Sequence, residues 1–136
     1  MISTERVSIH DELDIVRARS ICRQMAANIG FSLADQARLA TAVSELTRNA
    51  TQYALSGGDA VCQVTDASDD NEMRIEVLVE DYGPGISDIN KAMQDGYTTS
   101  GGLGAGLPGT KRLVDNFHLE SKPGLTQISI AIFRKR

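Results

Sequence analysis

Glu45-Leu46-Thr47-Arg48-Asn49-Ala50 is the stretch around which the rest of this 136-residue sequence is read. Leu39, Val43, Leu46, Ala50 and Tyr53 recur every three or four positions, the spacing of one apolar face of an α-helix. The pattern predicts a helix ending near Ala54, capped at its start by Ser32 or Asp35 and broken by Gly57-Gly58. On that helix Glu45 and Asn49 are four apart and project about 40° from one another, beside the buried stripe. A carboxylate and an amide so placed can share a magnesium ion and a water, because Mg²⁺ takes oxygen ligands and usually only a few of them from protein. The same pair also suits two solvated neighbours on a helix surface, and the stretch alone does not decide between the two.

Working outward, Ile15, Ala18, Cys22, Met25, Ala26 and Ile29 give an earlier helix its own apolar stripe, opened at Asp11-Glu12 and closed by Gly30. Before it, Val7 and Ile9 alternate within residues 6–10, as in a short edge strand. After the second helix two strands follow, at 60–65 and 73–79, the latter with Ile75, Val77 and Val79 on one face. The polar run between them, 66–72, is too long for a two-residue hairpin. A helix is expected at 107–117, with Pro108 tolerated in its first turn, then a short strand near 118–121. The chain closes with a strand at 127–133, where Ile128, Ile130 and Ile132 alternate with Ser129, Ala131 and Phe133. The order β-α-α-β-β-α-β-β predicts an α/β two-layer sandwich with helices on one face of a mixed, mostly antiparallel sheet.

Bulk properties bound the function. One domain covering residues 1–136 is the expectation from length. Hydrophobic residues make up 41 % and charged residues 24 %, ordinary for a globular protein. A net charge of −4 argues against nucleic acid as the main partner, and Arg134-Lys135-Arg136 is too short a basic run to change that. Two Cys and two His, with no C-x-x-C, make no zinc-site spacing, and Cys22 falls in a stripe that predicts burial. The start of the chain is polar rather than leader-like, and no apolar run approaches the roughly 20 residues of a membrane span. A cytoplasmic protein with reduced thiols and no membrane partner is expected.

Two further clusters carry chemistry. Glu80-Asp81-Tyr82-Gly83-Pro84-Gly85 follows the apolar strand directly. An Asp at a strand end can accept a hydrogen bond from a buried donor such as an exocyclic amino group, and the glycines let backbone approach a flat ring. A plain Pro-Gly turn would use the same residues. Gly101-Gly102-Leu103-Gly104-Ala105-Gly106-Leu107-Pro108-Gly109 leads into the third helix, so its N–H groups and the helix start suit a phosphate. Its G-x-G-x-x-G does not follow a strand, as a dinucleotide fingerprint must, and Thr110 stands where a Walker A loop needs Lys. The eight glycines from Gly83 to Gly109 mark a loop or lid, expected to be unordered without nucleotide.

Taken in order, E-x-x-x-N on a helix, D-x-G-x-G after a strand and G-x-G-x-G before a helix resemble the motif set of the GHKL ATPase and kinase superfamily, with its Bergerat ATP-binding fold. Within it, Asp35-Gln36-Ala37-Arg38 and the stretch 96–113 look like the small bacterial anti-sigma regulatory serine/threonine kinases of the RsbT type. The resemblance spans residues 6–133. It implies that Asn49 binds Mg²⁺ and through it ATP, and that Glu45 is the general base or positions the attacking hydroxyl. Asp81, with Gly83 and Gly85, would hold adenine, and Thr126 would touch it directly or through water. Gly102, Leu103, Gly104, Ala105, Gly106 and Leu107 would form the phosphate lid. Tyr53 departs from the His that many relatives carry there. No Lys or Arg directly precedes the glycines, so the γ-phosphate would be met by Mg²⁺, backbone N–H groups, or Lys111 and Arg112. The resemblance implies transfer to a Ser or Thr of a STAS-domain antagonist, with exchange between a STAS scaffold and a metal-dependent phosphatase of the RsbU kind. An anti-sigma kinase that sequesters a sigma factor, and a non-catalytic nucleotide-dependent binding module, are the alternatives.

Overall fold

The computed structural model describes residues 3–53, 60–83 and 106–136. Strand β1 (Ser3–Ile9) leads into α1 (Glu12–Ile29) and α2 (Leu33–Tyr53). Strands β2 (Ala60–Asp66) and β3 (Glu72–Asp81) follow, then α3 (Gly106–Leu113), β4 (Asn116–Lys122) and β5 (Leu125–Lys135).

Local chemistry sets the helix boundaries. The Asp11 carboxylate accepts the Asp14 N–H at 3.1 Å while Asp14 Oδ2 accepts the His10 N–H at 2.9 Å, a reciprocal cap that satisfies donors the first turn leaves over. Gly30 ends α1 at φ 114°, its N–H reaching the carbonyls of Ala26 and Ala27. Of the two residues expected to cap α2, Ser32 does so, its Oγ accepting the Asp35 N–H at 3.1 Å. Asp35 instead pairs with Arg38 and, through both oxygens, with Arg134 at 2.8 and 3.1 Å.

The sheet order is β1-β2-β3-β5-β4 and every pairing among the described residues is antiparallel, whereas a mixed, mostly antiparallel sheet was expected. Helices α1 and α2 lie against each other and against one sheet face. Into that layer β2 turns Ala60, Cys62 and Val64, β3 turns Ile75, Val77 and Val79, and β5 turns Ile128, Ile130 and Ile132. The helices answer with Ile15, Ala18, Cys22 and Ala26 and with Leu39, Val43, Leu46 and Ala50, the stripes read from sequence. Burying each large aliphatic side chain contributes about 1.5–3 kcal/mol before conformational entropy is subtracted. The opposite face carries Thr65, Arg74, Glu76 and Ser129 around a 490 Å³ depression, with Arg74 over the Phe133 ring at 4.9 Å.

The third helix is shorter than expected. It stops at Leu113, and Phe117, read as helical, lies in β4. The cause is Asp115. Its N–H donates to the Ala131 carbonyl, and its Oδ2 accepts the Phe133 N–H and an Arg134 N–H, which ties the chain to β5 and ends the helix.

Candidate functional site

The end of β3 and the start of β5 lie side by side, with Asp81 directly opposite Thr126. Both are buried polar residues, at 3 % and 2 % exposure, on the sheet face that the helices cover. Asp81 Oδ1 accepts the Gly83 N–H at 3.1 Å. Burial pushes the Asp81 carboxyl above the usual carboxylate range, and the Gly83 N–H partly opposes that. The Thr126 hydroxyl meets the Ser121 hydroxyl at 2.6 Å across the β4–β5 pair.

A turn holds this corner together. Pro123-Gly124 links β4 to β5, and Gly124 at φ 91° takes the backbone position that a type II turn reserves for glycine. The Gly124 N–H donates to the Gly83 carbonyl at 3.0 Å, so the residue that caps Asp81 is itself held by the hairpin that carries Thr126. Tyr82, between the two, is 45 % exposed.

Helix α2 packs on β3 and on α3. It buries Asn49 at 8 % exposure and leaves the Glu45 side chain 17 % exposed. Between them Thr47 is fully buried, its hydroxyl turned back to the Val43 carbonyl at 2.7 Å, which fixes this turn without adding a ligand group. Arg48 Nη1 stands 3.7 Å from Glu45 Oε1, and Arg48 Nη2 donates to Glu12 Oε1 on α1 at 3.2 Å.

The remaining expected residues divide. Gly85, Gly102, Leu103, Gly104 and Ala105, and with them the expectation about lid order, lie outside the described residues. Gly106 opens α3, while the Leu107 side chain is in the hydrophobic core, so only its backbone can serve a ligand. Lys111 and Arg112 lie exposed in the last turn of α3. Two contacts escaped the sequence reading. Ser121 could have been found by counting back from the Pro-Gly turn, which opposes Lys122 to Leu125 and hence Ser121 to Thr126. The Arg48–Glu12 contact joins positions 36 apart and has no local signal.

The donor set can be tested against a magnesium ion. Asn49 and Glu45 offer oxygen atoms from one turn of one helix. Among the described residues no three or more His, Cys, Asp or Glu side chains gather as a metal cage. An amide or carboxylate oxygen is the donor type a hard cation takes from protein, with phosphates and water as its other ligands.

A model of the histidine kinase-like ATPase domain matches residues 10–132. The chain belongs to the histidine kinase-like ATPase domain family. An ATPase domain uses ATP, and the motifs at Glu45–Asn49 and Asp81–Gly83 both lie within the matched region. Within the family, the chain is 51 % identical over 118 residues to the serine/threonine-protein kinase RsbT of Bacillus subtilis, covering 87 % of this chain and 86 % of that one. It is 32 % identical over 110 residues to an anti-sigma F factor of Caldanaerobacter subterraneus, covering 79 % and 76 %. The fold superposes on a crystal structure of RsbU and RsbW domains from Mycobacterium tuberculosis with a TM-score of 0.69, at 19 % identity. That match covers 98 % of this chain and 32 % of the larger one, and it concerns the fold alone. No helix among the described residues is long and apolar enough to cross a membrane.

Proposed function

We propose that this chain is an ATP-dependent serine/threonine protein kinase, a single cytoplasmic domain over residues 1–136. Its substrate would be a STAS-domain antagonist, and it would exchange a STAS scaffold for a metal-dependent phosphatase of the RsbU type. The observation that supports it most is the 51 % identity to a serine/threonine kinase across nearly the whole of both chains, joined to a buried Asp81–Thr126 corner suited to adenine.

In this reading the corner binds the base. Asp81 accepts the exocyclic amino group and Thr126 offers its hydroxyl, with Ser121 behind it. Residues 102–107 cradle the phosphates with backbone N–H groups and the start of α3. Asn49 would hold Mg²⁺, which supplies charge neutralisation on the phosphates when bound. Glu45 accepts the proton of the partner's Ser or Thr hydroxyl as that oxygen bonds to the γ-phosphorus. The bond from the γ-phosphorus to the bridging oxygen breaks, and ADP leaves. Phosphoryl transfer asks for this kind of positioning more than for covalent help from the protein.

A second reading, an anti-sigma kinase, draws on the 32 % identity to an anti-sigma F factor. The partners discriminate. Recovery of this chain from its own cells with an RsbU-type phosphatase supports the first reading, and recovery with a sigma factor replaces it by the second.

A further inference from the structure

Arg48 sits between two carboxylates of unequal exposure. Glu12, at the first turn of α1, is 69 % exposed; Arg48 is 35 % exposed; Glu45 is 17 % exposed. The guanidinium therefore runs from solvent toward the candidate base. Its two contacts are not equivalent. Nη2 to Glu12 Oε1, at 3.2 Å, is a hydrogen bond, whereas Nη1 to Glu45 Oε1, at 3.7 Å, is an ion pair beyond hydrogen-bond distance.

An Arg three positions after a Glu on a helix can close onto it, and a guanidinium can engage both oxygens of a carboxylate at once. Closed in that way, Glu45 would have a lone pair on each oxygen engaged and its charge held by the guanidinium, which makes it a poorer proton acceptor. Removed altogether, the guanidinium would leave a bare carboxylate facing the phosphates of ATP, a like-charge contact that opposes binding and attack. The observed standoff avoids both. We infer that Glu12 is a positioning residue for Glu45, acting through Arg48: it draws the guanidinium back so that the base keeps a nearby positive charge and an open oxygen. Exposed ion pairs of this kind contribute little to stability, so the arrangement acts on the site rather than on the fold. The inference rests on the reading of Glu45 as the proton acceptor.

The test compares the full chain with Glu12→Gln, Arg48→Met and the double variant. Two readouts are taken on each: the rate of labelled γ-phosphate transfer from Mg·ATP to a STAS-domain protein from its own cells, with kcat and the KM for ATP separated, and the carbon resonance of the Glu45 carboxyl by NMR. Glu12→Gln is expected to lower kcat about tenfold while the KM for ATP changes less than about twofold, and to shift the Glu45 resonance as the guanidinium closes. In the Arg48→Met background the same substitution is expected to change neither readout. A helix-dipole effect of Glu12 would persist in that background, so equal effects of Glu12→Gln with and without Arg48 overturn the inference. So does a wild-type kcat in Glu12→Gln. If the unaltered chain transfers no phosphate, the kinase reading fails. The resonance then judges the positioning role by itself: a Glu45 signal unmoved in Glu12→Gln overturns it, and a shift that Arg48→Met abolishes upholds it.

Discussion

Asp81 and Thr126 face each other across the central strand pair, each nearly closed to solvent and each turned toward the helical layer. A strand end that buries an ionisable group against a hydroxyl gains nothing in stability from the charge, because desolvation works against the ionised form. The cost makes sense where a ligand donor completes the pair.

That cost can be read by pH. The folded-state pKa of Asp81 is raised, so the folded protein binds the proton more tightly than the unfolded chain. Stability tied to this group is therefore full below the ordinary carboxylate pKa and lost as pH rises through the raised value. Asp81→Asn removes the charge and keeps an oxygen for the Gly83 N–H. It is expected to melt higher than the unaltered chain near neutral pH, with the gain vanishing on acidification, while ATP binding is lost. Thermal melts across pH, with ATP titrations alongside, check both halves.

Asn49 is buried on α2, the helix that packs on α1, β3 and α3. If it holds magnesium, Asn49→Ala weakens ATP binding by about tenfold or more, the effect of losing about 1.4 kcal/mol, but only when Mg²⁺ is present. Calorimetric titrations with Mg²⁺ and with a chelator should converge for this variant and differ for the unaltered chain.

Gly30 closes α1 at φ 114°, where a side chain is strained whatever room surrounds it. The room is adequate, since an added Cβ would lie 3.4 Å from Met73 Sδ. Gly30→Ala is therefore expected to cost about 1–2 kcal/mol through backbone strain, seen as a lower midpoint in denaturant with an unchanged slope.

Cys22 and Cys62 are both fully buried, one on α1 and one on β2. Burial pushes the Cys62 thiol up to about 12, and it pushes Cys22 up as well, with the neighbouring Cys62 adding to the effect. A thiol-reactive reagent at about pH 8 should leave both untouched in the folded protein and label both once denaturant is added, since the thiolate is the reactive form.

The elements were legible where one face alone specifies them. The stripes of α1 and α2 and the alternation of β3 and β5 place Ile15, Ala18, Cys22, Ala26, Leu39, Val43, Leu46, Ala50 and the inward residues of both strands in the core, as the structure does, because helix and strand periods are properties of local sequence; Met25 and Ile29 lie at its edge, and the Tyr53 side chain is outside the described residues. What remained hidden depends on partners far along the chain. Asp115 ends α3 by bonding to β5, so the helix looked continuous through Phe117 until the sheet was assembled. Asp35 looked like a possible cap because its bidentate partner, Arg134, lies 99 positions away. The candidate site shows the same division. Glu45, Asn49 and Asp81 stand out through spacing and neighbouring glycines. Ser121 and the Glu12–Arg48 contact follow from hairpin register and helix packing.

The most direct test of the central claim is phosphate transfer. The purified chain is mixed with Mg²⁺, γ-labelled ATP and a STAS-domain protein from its own cells, with Glu45→Ala run in parallel. The account predicts label on a Ser or Thr of the partner, reduced about a hundredfold or more in Glu45→Ala while ATP still binds. An unlabelled partner in the presence of bound ATP, or full transfer by Glu45→Ala, would contradict it.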